Sequence, residues 1–260
     1  MKNKKPKAPL IIIIIQRLFP MVEKVLPPLA YRWAFRLFFK PMRFPTPPRE
    51  LSVTQKAVKF RLNSGDLDIQ CYSWGQGPVV LFVHGWAGRG TQFFKFVQPF
   101  VDKGFKVVAF DGPSHGASSG KSTDIIEFEQ VLKSLEEYYG EICAIITHSF
   151  GGAATIFAMS KGLKVQNLVN ISSPTNADKI IAELLKKING SPKVAANIDK
   201  MVRKKYGRPF NSFSSDVQAE HLPPFNLLLI HDKNDKEVGI DQAEGLKALV
   251  PGAEMMVTTL

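Results

Sequence analysis

An apolar run that stops close to a single serine constrains this chain more than any other feature. Residues 143–146 are continuously apolar, which is typical of a short strand buried on both faces. Ser149 follows, and residues 151–159 then predict a helix whose small residues face inward. A turn this tight strains the backbone of its central residue and projects that side chain out of the sheet. Gly151 would let the helix approach, because glycine has no β-carbon.

Strands and helices alternate through most of the chain, which predicts a mostly parallel sheet with helices on both faces. A hairpin of two strands with alternating polarity comes first. The predicted strands are 58–62, 67–74, 79–83, 106–110, 142–146, 165–171, 225–230 and 254–260, and the predicted helices between them include 91–103, 124–139 and 151–161.

Unusual residues stand at the carboxyl ends of four predicted strands, which is where function gathers in such sheets. His84, Gly85 and Trp86 follow one strand, and residues 111–116 follow the next. Ser149 and residues 231–235 end the other two strands.

These four segments together resemble the α/β-hydrolase family over residues 50–260. The stretch 147–151 is similar to the nucleophile elbow Gly-x-Ser-x-Gly, with Thr147 in place of the first glycine. The His-Gly pair resembles the loop that shapes the oxyanion hole. Residues 111–116 resemble an Asp-x-Pro-Gly-His-Gly turn with Ser114 in the glycine's place, and residues 234–238 resemble the acid loop.

The resemblance implies an α/β-hydrolase fold and a serine hydrolase that acts on small carboxylic esters through an acyl-enzyme. Ser149 would be the nucleophile and Asp235 the acid, with Asp232 and Asp178 as weaker alternatives. The serine in the elbow argues against a dehalogenase, which uses an aspartate there. The backbone N–H groups of Trp86 and Phe150 would form the oxyanion hole, supported by His84, Gly85 and Gly151, and His115 would be structural.

The triad histidine is missing at its expected place. In the family this residue follows the acid, on the loop after the eighth strand, whereas all five histidines here (His84, His115, His148, His221 and His231) precede Asp235. We expect the C-terminal end of the hydrolase domain to be incomplete and the chain as it stands to be inactive. His221 is the histidine that could approach the serine from the insertion. The alternative is a non-catalytic relative that acts as a membrane-surface or interaction protein.

Residues 174–224 interrupt the alternation of strands and helices. They are long for a simple crossover, and the family often inserts a helical lid at this point. We predict a lid, with a plain helical crossover as the alternative.

Residues 1–49 form a separate arm by composition. They contain 11 Lys and Arg but one acid, whereas residues 50–260 contain 23 Lys and Arg and 22 acids. Because the net charge of +11 belongs almost entirely to the arm, we do not predict nucleic-acid binding. Residues 1–40 either lie on an anionic membrane surface as short amphipathic helices or pack across the body. Residues 41–48 would then be an extended linker.

The remaining composition predicts neither a metal site nor a cofactor, since no His/Cys cluster has ligand spacing and no phosphate-binding loop is found. Cys71 and Cys143 both fall in predicted strands and suit a reducing compartment. No apolar stretch reaches the ~20 residues of a spanning helix. We therefore predict a cytoplasmic protein. If residues 1–40 lie on a membrane, the protein would be peripheral at the inner membrane surface.

Overall fold

Eight strands occupy the positions at which the sequence predicts them. The computed structural model describes residues 10–220 and 222–260. The strands are β1 (Val58–Ser64), β2 (Leu67–Trp74), β3 (Val79–Val83), β4 (Lys106–Phe110), β5 (Ile142–His148), β6 (Asn167–Ile171), β7 (Asn226–Asp232) and β8 (Glu254–Thr258).

All eight strands belong to one sheet in the order β1-β2-β4-β3-β5-β6-β7-β8. The β1–β2 hairpin and the β2–β4 pair are antiparallel, and the pairs from β4 to β8 are parallel. The carboxyl ends of β3, β5, β6 and β7 therefore lie at one edge of the sheet, side by side. This is the α/β-hydrolase fold that the sequence predicts.

Ten α-helices lie within the part of the chain that the structure describes. The predicted helix at 124–139 begins after Asp124, whose carboxylate accepts hydrogen bonds from the N–H groups of Ile126 and Glu127. The helix at 48–56 was not predicted, because it starts in the proline-rich linker. The helices are α1 (Leu10–Val25), α2 (Pro27–Phe39), α3 (Pro48–Lys56), α4 (Phe94–Asp102), α5 (Ile125–Tyr139), α6 (Phe150–Ser160), α7 (Ala177–Ile188), α8 (Pro192–Tyr206), α9 (Ser215–Ala219) and α10 (Ile240–Leu249).

The chain divides into two compact units. The larger unit, Phe39–Asn176 with Ser212–Leu260, contains the whole sheet. Strand β3 is buried along its entire length, and its alternate side chains enter two separate cores. One core includes Leu81 with α5 and α6, and the other includes Phe82 with α4. A central strand of this kind produces the continuous apolar pattern seen in the sequence.

The smaller unit joins the described part of the arm up to Phe38 with Ala177–Asn211 from the insertion. Helix α1 continues through Gln16, Arg17 and Pro20 and packs against α7. Neither interpretation of the arm anticipated this pairing of the arm with the insertion. The predicted domain boundary at residue 49 and the predicted lid at 174–224 remain predictions. No helix in the described ranges is long and apolar enough to cross a membrane.

Candidate active site

Ser149 lies between β5 and α6, and its backbone has a conformation that residues other than glycine rarely adopt. Its φ is +51° and its ψ is −126°. A non-glycine residue in this region costs of order 1–3 kcal/mol and persists only when its surroundings enforce it. The conformation turns the Ser149 side chain away from the strand, as the sequence predicts for the centre of a tight strand-to-helix turn.

The neighbouring strand holds the backbone of Ser149 in this conformation. The N–H of Ser149 donates to the carbonyl of Ile171 at 2.9 Å. The hydroxyl of Ser173 donates to the carbonyl of Ser149 at 2.5 Å, and the N–H of Gly152 donates to the same oxygen at 2.9 Å. Both backbone polar groups of Ser149 are thus paired. No motif in the sequence indicates this role of Ser173.

Two glycines after Ser149 allow α6 to approach the sheet. A β-carbon on Gly151 would lie 2.4 Å from the carbonyl oxygen of Val83. One on Gly152 would lie 2.0 Å from the hydroxyl of Ser173. Either would clash, so both positions require glycine, and the predicted reason for Gly151 is confirmed.

Thr147, which replaces the first glycine of the elbow, fits by forming hydrogen bonds. Its side chain is fully buried. Its hydroxyl lies 3.1 Å from the carbonyl oxygen of Val169 and 3.1 Å from Oδ1 of Asn170. A β-branched residue is accommodated because β6 offers polar partners at this point.

The loop after β3 passes directly beside the serine. A β-carbon on Gly85 would lie 2.8 Å from Cβ of Ser149. Within the described chain, neither the N–H of Trp86 nor the N–H of Phe150 has a hydrogen-bond partner. Backbone N–H groups without partners near a serine are the kind of donor that stabilises a negatively charged oxygen.

Two buried imidazoles fix the shape of this loop. Nε2 of His84 accepts from the N–H of Gly112 at 2.7 Å, so Nδ1 carries the hydrogen that it donates to the carbonyl of Gly85 at 2.7 Å. Nε2 of His115 accepts from the N–H of Ala87 at 3.0 Å, and Nδ1 donates to the carbonyl of Pro113 at 2.9 Å. Burial lowers the pKa of His84 to about 4 and the pKa of His115 to about 3. Both rings are therefore neutral at pH 7, and the contacts of His115 are those of a structural residue.

A buried carboxylate on α3 anchors the same loop. Glu50 is 2% exposed. Nη1 of Arg89 lies 3.4 Å from both of its oxygens, and the hydroxyl of Thr91 donates to Oε2 at 2.7 Å. Sequence reasoning missed this network, because a glutamate at the start of a proline-rich helix gives no sign of being buried.

The sequence that forms this site matches a known protein family. Residues 80–243 match the model of a family described as the Alpha/beta hydrolase family. The chain belongs to this family. The matched segment includes the elbow, the loop after β3 and the acid loop.

Relatives of this chain include named enzymes and proteins without a stated reaction. It is 34% identical over 94 residues to the human protein named serine hydrolase-like protein, covering 32% of this chain and 44% of that one. It is 30% identical over 83 residues to the non-heme chloroperoxidase CPO-A1 of Kitasatospora aureofaciens, covering 30% of each chain. The matches thus span less than half the length of these curated relatives. The esterase Pf2001 of Pyrococcus furiosus shares the fold at 20% identity, with a TM-score of 0.62 over 85% of this chain and 88% of that one.

The predicted acid loop, residues 234–238, follows β7. Oδ1 of Asp235 accepts from the N–H groups of Glu237 and Val238 at 2.8 and 3.1 Å, which leaves Oδ2 free of strong hydrogen bonds, 3.8 Å from Nε2 of His231. Asp232 instead accepts from the N–H of Leu260 and from two further donors, and these bonds lower its pKa. The hydrogen bonds of Asp232, the weaker candidate, thus stabilise the turn in which it lies. Asp178, the third candidate, is exposed in the first turn of α7.

The histidines near the sheet edge have structural contacts. Nδ1 of His148 lies 3.4 Å from Nε2 of Gln92. Burial lowers the pKa of His148, while Asp235 and Glu237 oppose this shift. His231 is buried, and its Nε2 pairs with the carbonyl of Val238 at 2.8 Å. His221, the candidate from the insertion, lies outside the described residues. Among the histidines that are described, none is hydrogen-bonded to the hydroxyl of Ser149.

Aromatic rings surround the serine on the side of the loop after β3. The rings of Trp86 and Phe150 meet edge to face at 5.3 Å, and Phe150 also contacts Phe128 at 5.1 Å. Phe93 is buried against Phe82 at 4.9 Å and belongs to the core. No group of side chains within the described ranges could hold a metal ion.

Proposed function

We propose that this hydrolase cleaves small carboxylic esters through an acyl-enzyme formed on Ser149. The observation that carries the proposal is the strained backbone of Ser149, with φ +51° and both of its peptide groups paired. Strain of this kind concentrates at functional sites. The hydroxyl of Ser149 would attack the ester carbonyl, and the alcohol would leave as the acyl-enzyme forms.

The N–H groups of Trp86 and Phe150 would hold the oxyanion. Their lack of partners among the described residues supports this role. Loss of one such donor typically costs about 3 kcal/mol of transition-state stabilisation. The edge-to-face rings of the same two residues would offer an apolar surface to the acyl chain.

Asp235 would orient the imidazole that acts as general base. Its Oδ2 is the carboxylate oxygen of the loop that backbone donors leave available. Because no described imidazole is hydrogen-bonded to Ser149, we propose that the 260-residue chain by itself turns over esters very slowly. We also propose a lid function for residues 174–224, because they follow β6 and contain helices α7 and α8. The free cysteines Cys71 and Cys143 support a proposed cytoplasmic location.

Chemical rescue tests the proposal directly. Hydrolysis of p-nitrophenyl butyrate would be measured for the full chain, for Ser149→Ala and for Ser160→Ala, each with and without added imidazole. Ser160 lies at the end of α6 and serves as the matched control. Intact mass spectrometry would follow the butyryl adduct.

Without imidazole, we expect the three proteins to differ little. With imidazole, the full chain and Ser160→Ala should gain turnover and a butyryl adduct on Ser149, whereas Ser149→Ala should gain neither. Equal rescue of Ser149→Ala would overturn the role of Ser149. High turnover without imidazole that disappears in Ser149→Ala would show that the chain already holds its base, and His221→Ala would then test that residue.

A further inference from the structure

Helix α1 presents a stripe of exposed apolar side chains to solvent. Ile14, Leu18, Met21 and Val25 are all exposed, with Met21 at 65% and Val25 at 74%. Their spacing of four, three and four residues places them within a sector of about 60° around the helix. Leu26 and Leu29 extend the exposed apolar surface to the start of α2. We call these six residues the α1 stripe.

The opposite side of α1 provides the packing inside the smaller unit. Phe19 is fully buried and contacts Trp33 of α2 at 5.6 Å. The carboxylate of Glu23 accepts from the N–H of Ser191 at 3.1 Å and also from its hydroxyl, at the start of α8. Because Phe19 and Glu23 project away from the α1 stripe, the stripe is not needed to hold the unit together.

The same unit is strongly basic. Residues 10–38 and 177–211 together contain 13 Lys and Arg but four Asp and Glu. Arg17 and Lys24 are exposed along one flank of the stripe. On α8, the exposed face opposite the buried Val194, Ile198 and Val202 carries Lys193, Lys200 and Lys204.

We propose that the α1 stripe docks on the surface of an anionic lipid bilayer, with α1 lying along the surface. An apolar face flanked by Lys and Arg is the pattern of helices that lie at the interface between head groups and acyl chains. No described helix could span the bilayer, so the contact is with its surface. A second copy of the chain is a poor occupant, because two units of this positive charge repel each other.

Sedimentation with lipid vesicles tests the proposal on the full chain. Vesicles of phosphatidylcholine alone would be compared with vesicles that also contain phosphatidylglycerol, at low and at high salt. The stripe variant is Met21→Glu with Val25→Glu. The control is Met256→Glu with Val58→Glu, which makes the same chemical changes at residues that are 53% and 67% exposed in the larger unit. Point variants are preferable to deletion of the arm, because deletion would expose the face of α7 that packs against α1.

We expect the full chain and the control to bind anionic vesicles, and we expect salt to weaken that binding. The stripe variant should lose at least about tenfold in affinity, since two carboxylates would meet both the apolar layer and the anionic head groups. Thermal melts followed by circular dichroism would check that both variants fold. Equal loss in both variants, or no binding by the full chain, would overturn the proposal. So would a stripe variant that binds like the full chain, or one that instead converts a dimer to a monomer.

Discussion

Gly85 and Ser149 approach each other so closely that a β-carbon on Gly85 would lie 2.8 Å from Cβ of Ser149 and 3.1 Å from Nδ1 of His148. The loop after β3 can therefore lie beside the serine only if residue 85 has no side chain. The sequence marks this glycine as part of a motif, and the structure supplies the steric reason.

Gly85→Ala should lower the free energy of unfolding by about 1–3 kcal/mol, because overpacking of a closed site costs that much. Gly245→Ala is the control. Gly245 lies within α10 and a β-carbon there would meet nothing within 4 Å, so alanine should stabilise the helix by about 0.5–1 kcal/mol. Urea unfolding measures both changes, and a neutral Gly85→Ala would contradict the steric argument.

Glu50→Ala should destabilise the protein by about 3 kcal/mol, because it leaves the guanidinium of Arg89 and the hydroxyl of Thr91 without their partner in a mostly buried position. The exposed pair of Arg61 and Asp68, 3.5 Å apart, is the control. Asp68→Ala should cost less than about 1 kcal/mol. Unfolding in urea would compare the two variants. Similar losses in the free energy of unfolding would show that burial does not strengthen the contribution of Glu50 to stability.

Arg43→Lys should loosen the loop at 111–120, although the charge is kept. The guanidinium of Arg43 donates to the carbonyls of Ser114, Gly116, Ser118 and Gly120 at 2.8–3.2 Å. An ammonium group cannot reach four acceptors in this geometry. We expect faster amide hydrogen exchange in the loop and a loss of roughly 1 kcal/mol, after allowance for the exposure of the side chain.

Arg49→Lys is the matched control for Arg43→Lys. Arg49 is also exposed, and its guanidinium lies over the ring of Phe94 at 6.0 Å. Its replacement should leave exchange in the loop at 111–120 unchanged. Equal exchange in the two variants would mean that the four contacts of Arg43 do not hold the loop.

Mild acid should destabilise the folded protein through its buried imidazoles. The pKa values of His84 and His115 in the folded chain are about 4 and about 3, below the ~6.5 of an unfolded histidine. At a pH between the folded pKa and the unfolded pKa of each ring, the unfolded chain binds more protons than the folded chain. The free energy of unfolding therefore falls as the pH decreases through this range. Each ring contributes a slope of about 1.4 kcal/mol per pH unit in that range, and this loss is absent above about pH 6.5.

His115→Gln should remove one of these two contributions. Urea unfolding at about pH 5 and about pH 7 would be compared for the parent and the variant, and we expect a smaller difference in the variant by roughly 2 kcal/mol. Gln keeps an acceptor for the N–H of Ala87, which limits the direct loss of stability. An unchanged pH dependence would contradict the neutral state of the buried ring.

The amino-acid sequence alone predicted the alternation of strands and helices, the sheet class and the position of the strained serine. These features depend on local pattern, since burial on two faces produces a continuous apolar run and a tight turn demands small residues. The four segments at the strand ends come together because parallel strands direct their carboxyl ends to one edge. Roles for Ser149, Asp235, Trp86 and Phe150 were predicted from the resemblance to the α/β-hydrolase family and stay predictions, and the rescue experiment tests the role of Ser149.

Other features were decided by the tertiary structure alone. Glu50 pairs with Arg89, and Arg43 donates hydrogen bonds to the carbonyls of a loop more than 70 residues away. In the sequence, Glu50 and Arg43 are ordinary charged residues of a polar segment. Helices α1 and α7 pack together although more than 150 residues separate them. The physical reason is the same in each case. Local sequence allows a charged side chain or an amphipathic helix several equally suitable partners. The fold of the whole chain determines which of them it contacts.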